Sequence, residues 1–118
     1  MHVKAQDAPR LSLRGRTATK LLEGAGFGVT FSVRLVDVPP EDSDDPRPQH
    51  RHDGAAEFIW VLRGRGVFHG AREQLDVAAG EGVYVPAGER HKITPADDRH
   101  LELLCVFSTG DVASHTTE

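Results

Sequence analysis

The stretch His50-Arg-His-Asp-Gly-Ala-Ala-Glu-Phe-Ile-Trp-Val-Leu-Arg-Gly64 decides both the fold and the chemistry predicted for this chain. His50 and His52 are two residues apart, and on a β-strand that spacing places both imidazoles on one face. Glu57 then opens an apolar run that ends at Leu62. Two imidazoles and a carboxylate that converge from neighbouring strands are typical of a facial metal site.

A second stretch, Gly80-Glu-Gly-Val-Tyr-Val-Pro-Ala-Gly-Glu-Arg-His91, offers a fourth ligand. Its apolar run reads as a short strand, and the Pro-Ala-Gly sequence after it reads as a turn that presents His91. The sequence therefore predicts that one divalent metal is bound by four side chains, namely His50, His52, Glu57 and His91.

Together the two stretches resemble the motifs of the cupin family. The first stretch reads His-x-His, four residues, Glu, six residues and Gly. The second reads Gly, five residues, Pro-x-Gly, two residues and His. Asp44 and Pro95 stand where the family often has Gly and Asn, but neither position is a metal ligand. The resemblance implies a small, single-domain metal-binding cupin.

Length and composition predict an all-β domain. A chain of 118 residues is enough for one core, and its twelve glycines and seven prolines fit many short strands joined by tight turns. We expect a small cupin-type β-barrel or double-stranded jelly roll over residues 16–109. Residues 1–15 are expected to form an N-terminal segment with an edge or swapped strand, and residues 110–118 a flexible C-terminal tail.

Alternating residues predict which faces are buried. The clearest strand runs over residues 27–38, where the face carrying Phe27, Val29, Phe31, Val33 and Leu35 is expected to meet the core. In the run after Glu57, an inward carboxylate would force three large apolar side chains outward: Phe58, Trp60 and Leu62. We therefore predict a homodimer that covers this face, with Leu11 and Leu13 as further contributors.

Charge and cysteine usage limit the partners. The net charge of −4 without a basic block argues against nucleic acid, and no apolar run approaches a membrane span. The N-terminus lacks a signal-peptide pattern and Cys105 is the only cysteine, so we expect a cytoplasmic protein. Cys105 and Tyr84 are interpreted as structural strand residues, and no role is assigned to His69.

The ligand set allows several functions. Three imidazoles and one carboxylate leave open positions on a six-coordinate ion and admit Fe(II), Mn(II), Ni(II), Co(II), Cu(II) or Zn(II). The first hypothesis is an oxygen-dependent dioxygenase that acts on a small, polar, metal-chelating metabolite. The second is a non-redox isomerase, lyase, cyclase or decarboxylase, and the third is a ligand-binding or regulatory cupin without turnover.

Overall fold

The computed structural model describes residues 1–118 and is built almost entirely from strands. The strands are β1 (Arg10–Leu13), β2 (Arg16–Glu23), β3 (Ser32–Val38), β4 (Arg51–His52), β5 (Glu57–Arg63), β6 (Arg65–His69), β7 (Gln74–Ala78), β8 (Gly82–Val85), β9 (Lys92–Pro95), β10 (Leu101–Phe107) and β11 (Thr116–Thr117). Three short 3₁₀ turns complete the secondary structure: Ala5–Asp7, Gly24–Phe27 and Ala113–His115. None of these short helical turns has the length and the apolar character that a membrane-spanning helix needs.

The strands form an antiparallel barrel of jelly-roll type, as the sequence predicted. The larger sheet has the order β1-β2-β3-β10-β5-β8. Opposite it lie the sheet β7-β6-β9 and the small ladder β11-β4, which a backbone bridge between His50 and His91 links to the start of β9. The core between these layers is one hydrophobic cluster, to which Leu11 and Leu13 add from the edge strand.

The buried face of β3 is the opposite of the one predicted. The strand begins at Ser32, and its inward residues alternate as Ser32, Arg34, Val36 and Val38. Phe27 and Phe31 precede it and are 55% and 44% exposed. The prediction assumed that the more apolar face would be buried.

Paired polar groups explain the reversal. The guanidinium of Arg34 forms an ion pair with Glu23, with 2.6 Å between Nη2 and Oε1. The hydroxyl of Ser32 donates to the carbonyl oxygen of Thr109 at 2.8 Å. Because these groups are satisfied inside the protein, the polar face of β3 can be buried without the usual cost of lost hydration.

The alternation predicted for β5 is confirmed. Glu57 is 5% exposed and faces inward with Ile59 and Val61. Phe58, Trp60 and Leu62 are 42%, 37% and 46% exposed on the outer face. The expectation that Leu11 and Leu13 help to cover that outer face is wrong, because both pack against the interior core.

The C-terminal segment, residues 110–118, packs on the barrel. Val112 is only 2% exposed, and β11 pairs with β4 so that Thr116 lies opposite His52. The prediction of a flexible tail did not anticipate these contacts. Their consequence is that the last residues of the chain form part of the wall around the candidate site.

Candidate metal centre

Four side chains that the sequence singled out converge inside the barrel. One ligand atom from each of His50, His52, Glu57 and His91 lies within 4.8 Å of all the others. All four residues are buried, with exposures of 8%, 5%, 5% and 1% respectively. A cluster of this size and composition can hold a divalent metal ion.

Backbone pairing brings these side chains together from both layers. His50 and His91 exchange two backbone hydrogen bonds of 2.9 and 2.8 Å, which sets their imidazoles side by side. Glu57 comes from the opposite sheet, where it begins β5 between Val85 of β8 and Phe107 of β10. The backbone of Glu57 is therefore held between two neighbouring strands while its carboxylate faces the interior.

A threonine hydroxyl decides which nitrogen of His52 carries the proton. Thr116 Oγ1 donates its hydrogen to the carbonyl oxygen of Val112 at 2.7 Å. It therefore acts as an acceptor toward His52 Nδ1, which lies 3.0 Å away. With the proton on Nδ1, the neutral ring presents the lone pair of Nε2 to the site.

His91 is held in the same way by the main chain. Its Nδ1 lies 2.9 Å from the carbonyl oxygen of Glu89, which can only accept, so Nδ1 is the donor. The Nε2 atoms of His91 and His52 then lie 3.0 and 3.2 Å from the same oxygen of Glu57. A lone pair cannot face a carboxylate oxygen this closely unless a cation, either a proton or a metal ion, lies between them.

The electrostatics of the cluster agree with this requirement. Burial by itself favours the neutral acid, but hydrogen bonds from His52 and His91 outweigh it and hold the pKa of Glu57 well below its usual range. Burial lowers the pKa of His91, yet the hydrogen bond and charge of Glu57 produce a net increase in that pKa. A proton on Nε2 of His91 would therefore compete with a metal for the same position.

His50 provides an independent test of whether the cluster fits a metal. Its Nδ1 is buried and has no hydrogen-bond partner in the protein. Burial, followed by the charge of His91, lowers the pKa of His50 to about 2, so this ring is neutral and keeps a lone pair. An unpartnered buried nitrogen is costly, and the donor set of three neutral imidazoles and one carboxylate fits a divalent transition metal.

The cluster opens into a cavity of roughly 250 Å³ between the two layers. Twelve of the twenty residues that line it are hydrophobic, so the four clustered side chains face mostly apolar surroundings. This volume is below the range of pockets that bury drug-sized molecules, so the cavity suits a small metabolite.

Sequence reasoning missed several residues of this cavity. Arg16, Arg34 and Arg47 line it together with Thr116. The alternation of β3 carried a signal for Arg34, but it was assigned to the outer face. No local pattern marks Arg16, Arg47 or Thr116, because their positions depend on pairing between distant segments.

The other residues considered from the sequence lie outside the cluster. His69 Nε2 is hydrogen-bonded to Thr94 at 3.1 Å. Tyr84 is 64% exposed on the outer face of the larger sheet. Cys105 is 2% exposed, as predicted for a core strand residue, and it also lines the cavity.

Comparison with known proteins shows what this chain is similar to. The family model for the cupin domain matches residues 34–107. The oxalate-binding protein of Thermotoga maritima is 35% identical over 58 residues, which is 49% of this chain and 48% of that protein. The match thus spans about half the length of this curated relative.

Two solved structures share the fold. A predicted oxalate decarboxylase from Thermotoga maritima is 26% identical, with a TM-score of 0.75 over 92% of this chain and 99% of the other. A Streptomyces nucleoside dehydratase is 14% identical, with a TM-score of 0.79 over 99% of this chain and 88% of the other. The family model covers well over half of this chain, and both solved structures share its barrel. This chain therefore belongs to the cupin family.

Proposed function

We propose that this chain is a metal-dependent cupin enzyme in which His50, His52, Glu57 and His91 bind one divalent transition metal. Its substrate is a small, polar, metal-chelating metabolite. The observation that carries the proposal is the buried cluster itself, in which the Nε2 atoms of two imidazoles lie within 3.2 Å of one carboxylate oxygen, an arrangement that a single divalent cation would satisfy. When bound, such an ion acts as a Lewis acid toward an oxygen atom of the substrate.

The protein supplies the surroundings of that chemistry. Thr116 and the carbonyl of Glu89 orient two of the imidazoles, and the apolar lining excludes water from the open coordination side. A closed structural zinc site would more often include thiolates, and Cys105 is not among the four clustered residues. These features favour a metal that works on a ligand over one that only stabilises the fold.

Three types of activity remain as candidates. Oxygen-dependent dioxygenation, the first hypothesis from the sequence, is compatible with the imidazole and carboxylate ligands. The non-redox alternative gains support from the predicted oxalate decarboxylase, which is 26% identical. Ligand binding without turnover gains support from the relative named for oxalate binding. Since oxalate is itself a metal chelator, both relatives favour a chelating substrate.

Metal content tests the first part of the proposal. We expect about one equivalent of divalent metal in the wild-type protein by elemental analysis and almost none in the His52→Ala, His91→Ala double variant. His69→Ala is the control, since His69 is also a strand histidine but lies outside the cluster. Equal metal content in the wild type and the double variant would overturn the assignment.

Turnover tests the second part. The metal-loaded protein would be incubated with a panel of carboxylates, enols and α-hydroxy ketones, with products followed by NMR and oxygen by an electrode. Oxygen consumption with product formation supports a dioxygenase, and product formation without it supports the non-redox reaction. An identified substrate whose turnover is unaffected by His91→Ala would show that the metal is not catalytic.

We further propose a homodimer formed through the outer face of the larger sheet. The strand registers place five apolar side chains in one row across this face: Leu22, Val33, Val106, Phe58 and Tyr84. Phe58 and Trp60 stack on each other there, with ring centroids 6.2 Å apart. A continuous apolar sheet face of this kind is unusual on a monomer and suits a two-fold interface between sheets.

The cytoplasmic location stays a prediction from the sequence. The single cysteine, Cys105, is buried and free, which fits a reducing compartment. Cell fractionation with an antibody against the protein would test it.

A further inference from the structure

Three arginine side chains line the cavity of the candidate metal centre, and only one of them has an acidic partner. Arg34 is paired with Glu23 at 2.6 Å. Arg16 and Arg47 form no ion pair, although Arg47 is only 6% exposed. A guanidinium held away from water without a counter-charge is costly, so a buried Arg47 and a half-buried Arg16 beside one cavity need an explanation.

The hydrogen bonds of these two residues leave donors free. Arg16 donates from Nη1 to the carbonyl oxygen of Arg14 at 3.1 Å. Arg47 donates from Nη2 to the carbonyl oxygen of Ile93. A guanidinium has five N–H donors, so each side chain keeps several that the protein does not use.

The two guanidinium groups also repel each other. Burial, and then the positive charge of Arg16, lowers the pKa of Arg47 to about 10. Burial likewise lowers the pKa of Arg16, whereas the carboxylates of Glu57 and Glu118 act on it in the opposite direction. The carboxylate of Glu41 also acts against the lowering of the Arg47 pKa, but it is paired with Lys92. None of these three carboxylates forms an ion pair with Arg16 or Arg47, so an anion between the two guanidinium groups would relieve both the burial cost and the repulsion.

We propose that Arg16 and Arg47 form an anion-binding subsite in the cavity, and that the ligand of this protein is a small carboxylic acid. The carboxylate binds the two guanidinium groups while another oxygen of the same molecule faces the metal ligands. The apolar lining, which includes Leu11, Leu13 and Val112, accommodates a short hydrocarbon portion. This inference rests on the proposed function for the metal-facing end, but the arginine subsite stands on its own contacts.

The chemistry of the subsite also explains why arginine is present. A planar guanidinium binds a carboxylate through two parallel hydrogen bonds, which a lysine cannot reproduce. The subsite would therefore select carboxylates over the corresponding amides, which have a similar shape and no charge.

Calorimetric titration tests this proposal with defined probes. Oxalate, malonate and succinate would be titrated into Zn(II)-loaded protein, next to their neutral diamides. We expect at least one dicarboxylate to bind, and Arg16→Gln to weaken its binding at least tenfold while the metal content stays at the wild-type level. Arg16→Lys, which keeps the charge but not the planar fork, should show an intermediate loss.

Arg14→Gln is the matched control. Arg14 is two residues away on the chain, but its side chain is half exposed and pairs with Asp45 on the surface. We expect this variant to bind the dicarboxylate within twofold of the wild type. Wild-type affinity in Arg16→Gln, or no binding of any of the three dicarboxylates to the wild type, would overturn the subsite.

A second measurement does not depend on the stability of a variant. In the wild-type protein, a saturating dicarboxylate should shift the Nε–H NMR resonances of Arg16 and Arg47 but leave that of Arg14 unchanged. Unchanged Arg16 and Arg47 resonances would contradict the proposal. Because metal content is measured separately, loss of the subsite and loss of the metal centre would be distinguished.

Discussion

The hydroxyl of Thr116 should control how tightly the site holds a metal. The hydroxyl accepts a hydrogen bond of 3.0 Å from His52 Nδ1 and donates one of 2.7 Å to Val112. Replacing it in Thr116→Val keeps the shape of the side chain but removes the acceptor. His52 can then rotate, or move its proton to Nε2, the atom that faces the site.

The size of the effect follows from the bond that is lost. A buried hydrogen bond contributes about 1 kcal/mol net, and leaving a buried N–H without a partner costs about 1–3 kcal/mol. Because about 1.4 kcal/mol corresponds to a tenfold change in a dissociation constant, we expect metal binding to weaken about 10- to 100-fold. Loss of a hydrogen-bond partner behind a metal-bound histidine typically has an effect of this size.

The assay is a competition titration of Zn(II) between apo protein and a chromogenic chelator at pH 7.5. Thr116→Ser retains the hydroxyl and should bind within a few-fold of the wild type. Thr117→Val is the matched control, since its hydroxyl donates to Asp53 on the surface and not to a ligand. If Thr116→Val binds Zn(II) as tightly as the wild type with its circular dichroism intact, or if Thr117→Val loses as much, the reasoning is refuted.

Three further predictions address pH, assembly and the cysteine. Because the carboxylate of Glu57 raises the pKa of His91 above 6.5, a proton should begin to compete with the metal above that pH. As the pH is lowered, the affinity for the metal should then fall about tenfold per pH unit for each proton displaced. A dissociation constant that stays the same between pH 7.5 and 5 in the same competition titration would contradict this. Light scattering should show a dimer at micromolar concentration, and Trp60→Glu should convert it to a monomer. Leu75 is equally exposed, at 37%, but lies on the other sheet, so Leu75→Glu should leave the dimer intact. A wild-type monomer would rule out the proposed interface. Burial raises the pKa of Cys105 well above that of a free thiol. The thiol should therefore not react with a thiol reagent at pH 8 until guanidinium unfolds the protein. Rapid labelling of the native protein would show that the strand is not buried as described.

The candidate ligands were predictable because their signal is local. A His-x-His pair places two imidazoles on one face through the period of the strand alone, and the turn before His91 is readable from Pro86 and Gly88. The inward direction of Glu57 then determines the outward direction of Phe58 and Trp60, since neighbouring side chains must alternate. The confirmed burial pattern of β5 follows from these facts without knowledge of its neighbours.

The error on β3 has a different physical origin. Alternation identifies two faces but does not say which one meets the core. Here Arg34 is neutralised by Glu23, and the hydroxyl of Ser32 bonds to Thr109, which is 77 residues away along the chain. Such long-range pairing removes the cost of burying polar groups, and no local pattern records it.

By itself, the sequence determined the strand-rich fold, the four clustered side chains and the alternation of β5, because each depends on residue spacing within one segment. Only the tertiary structure decided that Arg16 and Arg47 share a cavity with those side chains and that Thr116 orients His52. These contacts form only when strands far apart in the chain become neighbours. The free energy of burying a charge, or of placing a proton on one nitrogen, then depends on all the groups around it. The position of a ligand can therefore be read from a motif, whereas its protonation and its charged neighbours are properties of the folded barrel.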